Sequence, residues 1–343
     1  MMKILLISEF PKGSLGLSYY NAFKQIGCDV SRFDLVKEYQ SINPFAKYKY
    51  VNWILDNFFC SVLNSKLLER VKALNPELVF VIKGIFISPQ TLKKVKELNN
   101  IVLINFNPDN PFNLNRGASN NLIRSAIPYY DCYFTWGKFL VPQLKSAGAK
   151  CVEYLPFAYD PTLHYPMNIS NDEKNIYGSD IAFIGSWDKE REECLEQVQS
   201  YDIAIWGNSW EKLKTGSPLR RKWKERDVIG EDFAKVCSAS KIILNLVRKQ
   251  NDNAHNMRTF EIPACKGFML TVRTVEQCEF FEEGKDISCF EDPNELKVKI
   301  DEFLKNENAI ERFKMEANKK VQVHTYFERA KRILEVYRNL KAL

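Results

Sequence analysis

Two successive series of short apolar, β-branched runs, each run separated from the next by a longer stretch with helical spacing, constrain this chain more than any other feature. Strands that alternate with helices pair in parallel, because a parallel connection must cross the sheet and a helix is the usual way to do it. The first series reads as strands over Lys3–Ser8, Asp29–Asp34, Leu78–Lys83, Ile101–Phe106 and Cys132–Trp136, with helices near Tyr19–Ile26, Asn52–Leu74 and Pro89–Leu98. Its strands end at turn signals: Gly13 with Gly16, Gly84, and the Asn107-Pro108-Asp109 run. The second series reads as strands over Asp180–Ile184, Ile203–Trp206, Lys241–Val247, Phe268–Val272 and Ile287–Phe290. Asp292-Pro293-Asn294-Glu295 then supplies a capping acid, a proline for the first helical position and a glutamate for the third.

Between the two series, Leu155–Asn175 lapses into Pro156, Pro161, Pro166 and a polar run, which is the composition of a linker. The expected organisation is therefore a first Rossmann-like domain over residues 1–165, a second over 166–325, and a final helix over 326–343. That helix carries Phe327, Ala330, Ile333, Leu334, Tyr337 and Leu340 on one face, and the face needs a surface to bury it.

Composition narrows the function. At 343 residues the chain exceeds the usual size of one domain, and 45% hydrophobic with 27% charged residues is ordinary for a globular protein. The formal charge of +6 is dispersed, without a basic tail, zinc-finger spacing or RNA-binding signature, so nucleic acid is not an expected partner. Nine cysteines without a CxxC pair, behind an opening Met1–Phe10 that reads as a strand, point to reduced thiols and a cytoplasmic protein. No run of eighteen apolar residues suggests a membrane-spanning helix. The three histidines, His164, His255 and His324, form no helical pair, and no metal site is expected. Two basic, aromatic stretches offer peripheral contact with an acceptor or an anionic membrane. These are Phe45–Phe59, with Lys47, Lys49, Trp53 and Phe58, and Leu219–Arg226, with Trp223 amid Arg220, Arg221 and Lys222; a solvated helix and an ordinary loop are the competing readings.

In open α/β sheets ligands bind beyond the carboxyl ends of the strands, so the loops that follow strands hold the candidate site. In Phe183–Arg191 a strand ends at Gly185 and Ser186, with Lys189 and Arg191 at the following helix start. Such a turn lets a backbone approach phosphate oxygens, or is simply a turn. In Trp206-Gly207-Asn208-Ser209-Trp210 an aromatic could stack on a base or sugar, or complete the core under a loop. In Asn253–Phe268 a polar stretch with Asn253, His255 and Asn256 leads into a short helix on which Arg258 and Glu261 share a face. That pair either grips a diphosphate and a ribose from two sides, or forms an ion pair within the helix.

Phe183–Ser186, Trp206–Asn208, Asn245, Asn256–Gly267 and His324-Thr325-Tyr326 resemble, in order and spacing, the spore-maturation (CgeB-like) group of glycosyltransferases over Asp180–Leu343. Leu155–Asp160 with Pro161, His164 and Pro166 resembles that family's interdomain stretch, and Asn107–Phe112 one of its first-domain loops. The resemblance implies a GT-B fold, two Rossmann-like domains facing across a cleft with the final helix crossing back to the first. It implies a sugar moved from a nucleotide-diphosphate sugar donor to an unknown acceptor, in glycan or cell-surface polysaccharide synthesis, with no further cofactor. Glu261 falls where related retaining enzymes place the second of two glutamates seven residues apart, the one that grips the ribose. Asn253 replaces the first, and Lys266 stands where many relatives carry glycine. The sequence offers no DxD-like metal site, so Arg258, helix amides and Lys189 or Arg191 are assigned to the charge on the leaving diphosphate. Asp109, with Glu9 as the other candidate, is assigned as an acceptor-side base should the reaction invert. Alternative readings are a non-catalytic sugar-nucleotide-binding subunit, which Asn253 keeps open, and a sugar-nucleotide epimerase of the same fold.

Overall fold

The computed structural model describes residues 1–44, 49–98, 100–114, 119–248, 251 and 253–342. Two compact units emerge, residues 1–156 with 326–343, and residues 157–325.

The first unit is a six-stranded sheet of β1 (Lys3–Ser8), β2 (Asp29–Asp34), β3 (Leu78–Ile82), β4 (Val102–Asn107), β5 (Cys132–Thr135) and β6 (Val152–Tyr154), in the order β2-β1-β3-β4-β5-β6. Every pairing is parallel. β3 and β4 are buried along their whole length, as central strands covered on both faces must be, which is why they read as continuous apolar runs. β6 was not evident from the sequence; three half-buried residues, Val-Glu-Tyr, at a sheet edge leave no periodicity to see. Around the sheet lie α1 (Leu15–Gln25), α2 (Leu35–Ile42), α3 (Lys49–Leu74), α4 (Pro89–Glu97), α5 (Asn121–Ala126) and α6 (Val141–Ser146). α1 starts four residues before the expected Tyr19 because Ser14 caps it, its Oγ accepting from Leu17 N at 3.2 Å. α4 begins in the same way, with Ser88 Oγ accepting from Thr91 N at 3.1 Å and Pro89 at the first position.

The second unit holds α7 (Asn171–Tyr177), β7 (Ile181–Ile184), α8 (Lys189–Glu196), β8 (Ile203–Trp206), α9 (Glu231–Ala239), β9 (Ile242–Asn245), α10 (Arg258–Ala264), β10 (Met269–Val272), α11 (Val275–Phe280), β11 (Ser288–Phe290), α12 (Pro293–Leu304) and α13 (Glu307–Val321). The sheet order is β11-β10-β9-β7-β8, again all parallel. Asp292 caps α12 as its sequence signature requires, accepting from Asn294 N at 2.7 Å and Glu295 N at 3.0 Å.

The units divide at Pro156–Phe157, nine residues before the boundary read from the sequence (165 less 156). The reason is local packing. Phe157 N donates to His255 Nε2 at 3.0 Å, Tyr159 N donates to His324 O at 3.0 Å, and the His164 ring meets Phe233 edge to face at 5.2 Å. The proline-rich stretch, with a turn at Asp160–His164, is thus tied into the second unit.

The last helix, α14 (Tyr326–Ala342), packs on α1 and β4 of the first unit. Tyr326 and Tyr19 meet edge to face at 5.1 Å, and Ala330, Ile333 and Leu334 are buried beside them. Arg329 Nε donates to Pro156 O at 2.9 Å, and Arg332 pairs with Glu153 at 3.0 Å. Among the described residues no helix is long and apolar enough to cross a membrane.

Candidate functional site

In the second unit the strand order reverses between β7 and β9, and the crevice at such a switch point is where a doubly wound sheet receives a ligand. Three arginines converge there. Arg191, on the first turn of α8, donates from Nη1 to Ser186 O at 2.8 Å and lies over the Phe183 ring at 5.5 Å. Arg248 follows β9 and donates from Nε to Asp188 Oδ2 at 2.6 Å. Arg258 opens α10, donates from Nε to Ile184 O at 3.2 Å and lies over Phe233 at 4.7 Å. Asp188 joins them, because its other oxygen caps α8 by accepting from Arg191 N at 3.0 Å.

Electrostatics mark the cluster as under-neutralised. Burial, then the like charge of Arg248, pushes the Arg191 guanidinium down to about 10, against the opposing pull of Asp188 and with a further push from Arg258. Three guanidiniums pair directly with the two carboxylates of Asp188 and Glu261, Glu190 acts on Arg191 as well, and α8 presents its amide-rich end to the same place. An added anion relieves that imbalance.

Arg258 and Glu261 bond to each other, Nη1 to Oε2, so the ion pair that the sequence left as one of two readings is formed. It is not sealed. The Arg258 side chain keeps 29% exposure while that of Glu261 keeps 7%, and the guanidinium has five N–H donors, two of which go to Ile184 and Glu261. The other Glu261 oxygen lies 3.6 Å from His164 Nε2. His164 Nδ1 accepts from Asp160 N at 3.3 Å, which fixes the tautomer with its proton on Nε2, towards Glu261.

Burial holds the His164 pKa below its ordinary value even though Glu261 pulls it upwards. A histidine with a lowered folded pKa takes up fewer protons than the unfolded chain, so stability rises with pH across the gap. The stabilisation is therefore complete above about pH 6.5, the unfolded value, and is lost as pH falls from there through the folded pKa. Chemical denaturation at successive pH values should show that slope, and His164→Asn should flatten it; an unchanged slope would contradict this origin.

The glycine turns are backbone devices. Gly207 has φ 147°, and a Cβ there would stand 2.1 Å from Gly185 O, so the strand ends of β7 and β8 approach each other only because position 207 has no side chain. Gly185 N donates to Trp206 O at 2.8 Å, and Trp187 N to Asn208 O at 2.9 Å, which stitches the two loops together. Lys266 adopts φ 54°, a left-handed conformation that glycine takes without cost, in keeping with the residue found there in the resembled family.

Of the other candidates, His255 and Trp206 are buried in the core, and the rest keep polar partners of their own. His255 is fully buried: Nε2 accepts from Phe157 N, Nδ1 donates to Glu276 at 2.7 Å, and the ring packs on Phe260 and Phe280. It is a core residue. Trp206 is 1% exposed, stacked on Tyr177 at 5.9 Å and covered by Arg226 at 5.2 Å, so its ring completes the core. Asn256 is half-buried, its Nδ2 donating to Asn245 and its Oδ1 accepting from Thr259 N at the start of α10, so it shapes the helix start. Asn208 is exposed and bonds Asp227 at 3.0 Å, and Lys189 is exposed with Glu192 at 3.4 Å. Asn253, at φ 58°, is exposed and its carbonyl accepts from Glu276 N at 3.0 Å. Gly185, Ser186, Arg191, Arg258 and Glu261 remain together. Arg248, Asp188 and His164 join them; the rule that placed weight on post-strand loops pointed to Arg248 as well, directly after β9.

In the first unit Asp109 pairs with Lys83 at 2.8 Å, and its N–H donates to Asn107 Oδ1, so Asn107 rather than Asp109 makes the turn. Glu9 is exposed just past β1 and accepts from Ser14 through its carbonyl. Of the two basic stretches, residues 45–48 and the side chains of 49–56 lie outside the described residues, and Phe58 is 63% exposed. Leu219–Arg226 is folded inwards: Arg220 caps Lys214 O and Leu213 O, Lys222 reaches Tyr201 O, and Trp223 donates to Gly207 O. Arg221, Lys224 and Arg226 of the same stretch are exposed, Arg226 pairing with Asp232 at 3.5 Å. Among the described residues Cys278, Glu283 and Cys289 place one ligand atom each within 4.8 Å of one another, but both Glu283 oxygens are held by Arg273.

Residues 189–335 match the family model described as glycosyl transferase-like, a segment that begins at the first residue of α8 and includes Arg191, Arg248, Arg258 and Glu261. No curated protein matches the chain. Among solved structures, sucrose-phosphate synthase from Thermosynechococcus elongatus is similar with a TM-score of 0.68 at 12% identity, over 100% of both chains. HepE from Anabaena, in complex with UDP-glucose, gives 0.66 at 11%, also over 100% of both. The chain has the GT-B fold. The same architecture extends to a putative UDP-N-acetylglucosamine 2-epimerase from Listeria monocytogenes, with a TM-score of 0.58 at 13% identity over 99% of this chain and 98% of that one.

Proposed function

We propose that the chain is a glycosyltransferase that moves a sugar from a nucleotide-diphosphate sugar, held by residues 157–325, to an acceptor, within the CgeB-like group and in glycan or cell-surface polysaccharide synthesis. The observation that carries this reading is the convergence of Arg191, Arg248 and Arg258 at the switch point of the second sheet, where a diphosphate is due. The glycosyl transferase-like match over 189–335 and the UDP-glucose bound by the HepE relative support it.

Transfer breaks the bond between the anomeric carbon and the diphosphate, so negative charge builds on the leaving oxygens while the sugar becomes oxocarbenium-like. Cations fixed before the reaction act on that charge without reorganising, and this is the largest contribution such a site can make. Arg258 is held by a backbone carbonyl, a ring and a carboxylate, and Arg191 by Ser186 O and Phe183, so both meet this requirement. Glu261 takes the ribose end of the donor by exchanging Arg258 for two hydroxyl donors, while His164 keeps the carboxylate in place from its other side. Asp109 is the acceptor-side base of this proposal, set by its Lys83 partner beyond β4.

Thermal-shift measurements against nucleoside mono- and diphosphates and their sugar conjugates test the binding half. A ligand at a hundred times its Kd stabilises by about 2.7 kcal/mol, and for a unit of this size that is a rise in Tm of roughly 5–10 °C. Diphosphates should give it and the corresponding monophosphate markedly less; equal responses would remove the diphosphate from the account. Product analysis tests the chemistry, since an isomerised donor or one recovered unchanged with every acceptor tried would replace transfer by epimerisation or binding alone.

A further inference from the structure

Nine cysteines, all thiols, are not scattered evenly in space. Cys132 and Cys151 lie with their sulfur atoms 2.7 Å apart, at the edge of the first sheet and far in sequence from the residues discussed above. The register explains the approach. Tyr133 pairs with Val152 where β5 and β6 begin, so the preceding residues of the two parallel strands sit side by side with their side chains on one face.

The two thiols differ in access. Cys132 is fully buried, whereas Cys151 is half-buried and lines a cavity of about 670 Å³ between the sheet edge and α14. Lys96, Lys150, Arg332 and Lys341 line the same cavity against two carboxylates, Asp131 and Glu153. Lys96 pairs with Asp131 and Arg332 with Glu153 and Glu335, so the positive excess rests on Lys150 and Lys341. The hydrogen bond shared with Cys132 holds the Cys151 thiol below the usual range against its burial and Glu153, with Arg332 in support, while the same bond and burial push the Cys132 thiol up. An accessible sulfur favoured as thiolate beside a buried partner kept as thiol is the arrangement that separates an attacking cysteine from a resolving one.

We propose that Cys132 and Cys151 are a reversible disulfide site, oxidised by exchange with a small anionic disulfide that docks in this basic cavity. The Cys151 thiolate attacks one sulfur of the docked disulfide, forming a mixed disulfide and expelling one thiolate. Cys132 gives its proton to that thiolate and attacks Cys151 Sγ, which closes the internal bond and expels the second half of the oxidant as a thiolate that is protonated by water. Two protein thiols and one disulfide thus become one protein disulfide and two small thiols, with electrons balanced. The inference lies within the first unit and does not depend on the activity proposed for the second.

Treatment of the full chain with glutathione disulfide, followed by alkylation and tryptic mapping, tests it. Cys132 falls in peptide 125–138 and Cys151 in peptide 151–174, so the bond appears as a link between them, lighter by two hydrogens. The expected result is that link, formed about tenfold or more faster than any modification of the buried Cys237 and Cys265. Cys132→Ser should trap glutathione on Cys151, and Cys151→Ser should leave Cys132 unmodified. Both peptides recovered fully alkylated from folded wild-type protein would overturn the proposal, as would modification of Cys132 in the Cys151→Ser protein at the wild-type rate. The wild-type map decides the matter even if a variant fails to fold.

Discussion

Arg258→Ala is expected to lower kcat/KM for sugar transfer by about 10²–10³-fold, the loss seen when one preorganised donor to a developing oxyanion is removed. Part of it should appear in KM, because Arg258 already meets the charged diphosphate of the bound donor, and the rest in kcat, because the leaving oxygens gain further charge as the glycosidic bond breaks. The substitution also leaves Glu261 buried with His164 beside it and its principal cation gone. That part of the change is a stability effect, on the order of 3 kcal/mol, and must be separated from catalysis. Arg258→Ala combined with Glu261→Gln removes both charges and should recover much of the stability without the activity. Arg258→Lys keeps the charge and loses the planar fork, so it should fall between wild type and alanine. Steady-state kinetics alongside calorimetry of the four proteins checks the set; an Arg258→Ala protein that turns over donor at the wild-type rate would dismiss the assignment.

The second large effect concerns folding rather than chemistry. Glu276→Ala should cost about 1–3 kcal/mol, because it takes the carboxylate acceptor from the Nδ1 N–H of a neutral histidine with no exposure at all. His255 connects three parts of the second unit: α11 through Glu276, the chain entry through Phe157 N, and the aromatic group of Phe260 and Phe280. For a unit of this size the loss is a drop in Tm of roughly 5 °C by scanning calorimetry. Glu276→Gln, which still accepts a hydrogen bond, should lose clearly less. A Tm within a degree or two of wild type for the alanine protein would mean that His255 is satisfied without Glu276.

These two residues also show where reading the sequence works and where it stops. Strands such as Leu78–Ile82 and Ile181–Ile184 were legible because central parallel strands are apolar throughout, and the cap of α12 because Asp-Pro-x-Glu has one structural meaning. The pair Arg258 and Glu261 was legible because three-residue spacing puts both on one helix face. His255 reads from the sequence as part of a polar loop, since its local surroundings are Asn253-Ala254-His255-Asn256, while the acid that makes it a core residue is twenty-one positions away in sequence. Arg248 was missed for the related reason that its partner Asp188 lies sixty positions upstream, brought near only by the β7–β9 pairing. Local pattern reports the elements and their faces; which polar groups satisfy one another depends on the order of strands, and that order appears only in the folded sheet.

The central claim is that the guanidinium of Arg258 and the carboxylate of Glu261 take the two ends of a ribose-diphosphate handle. A crystal structure of the protein soaked with uridine 5′-diphosphate or its sugar conjugate tests it most directly. The account predicts phosphate oxygens within hydrogen-bond distance of Arg258 and Arg191, with the bond between Arg258 and Glu261 opened and ribose hydroxyls on Glu261. Nucleotide bound at another place, with that bond still closed, would contradict it.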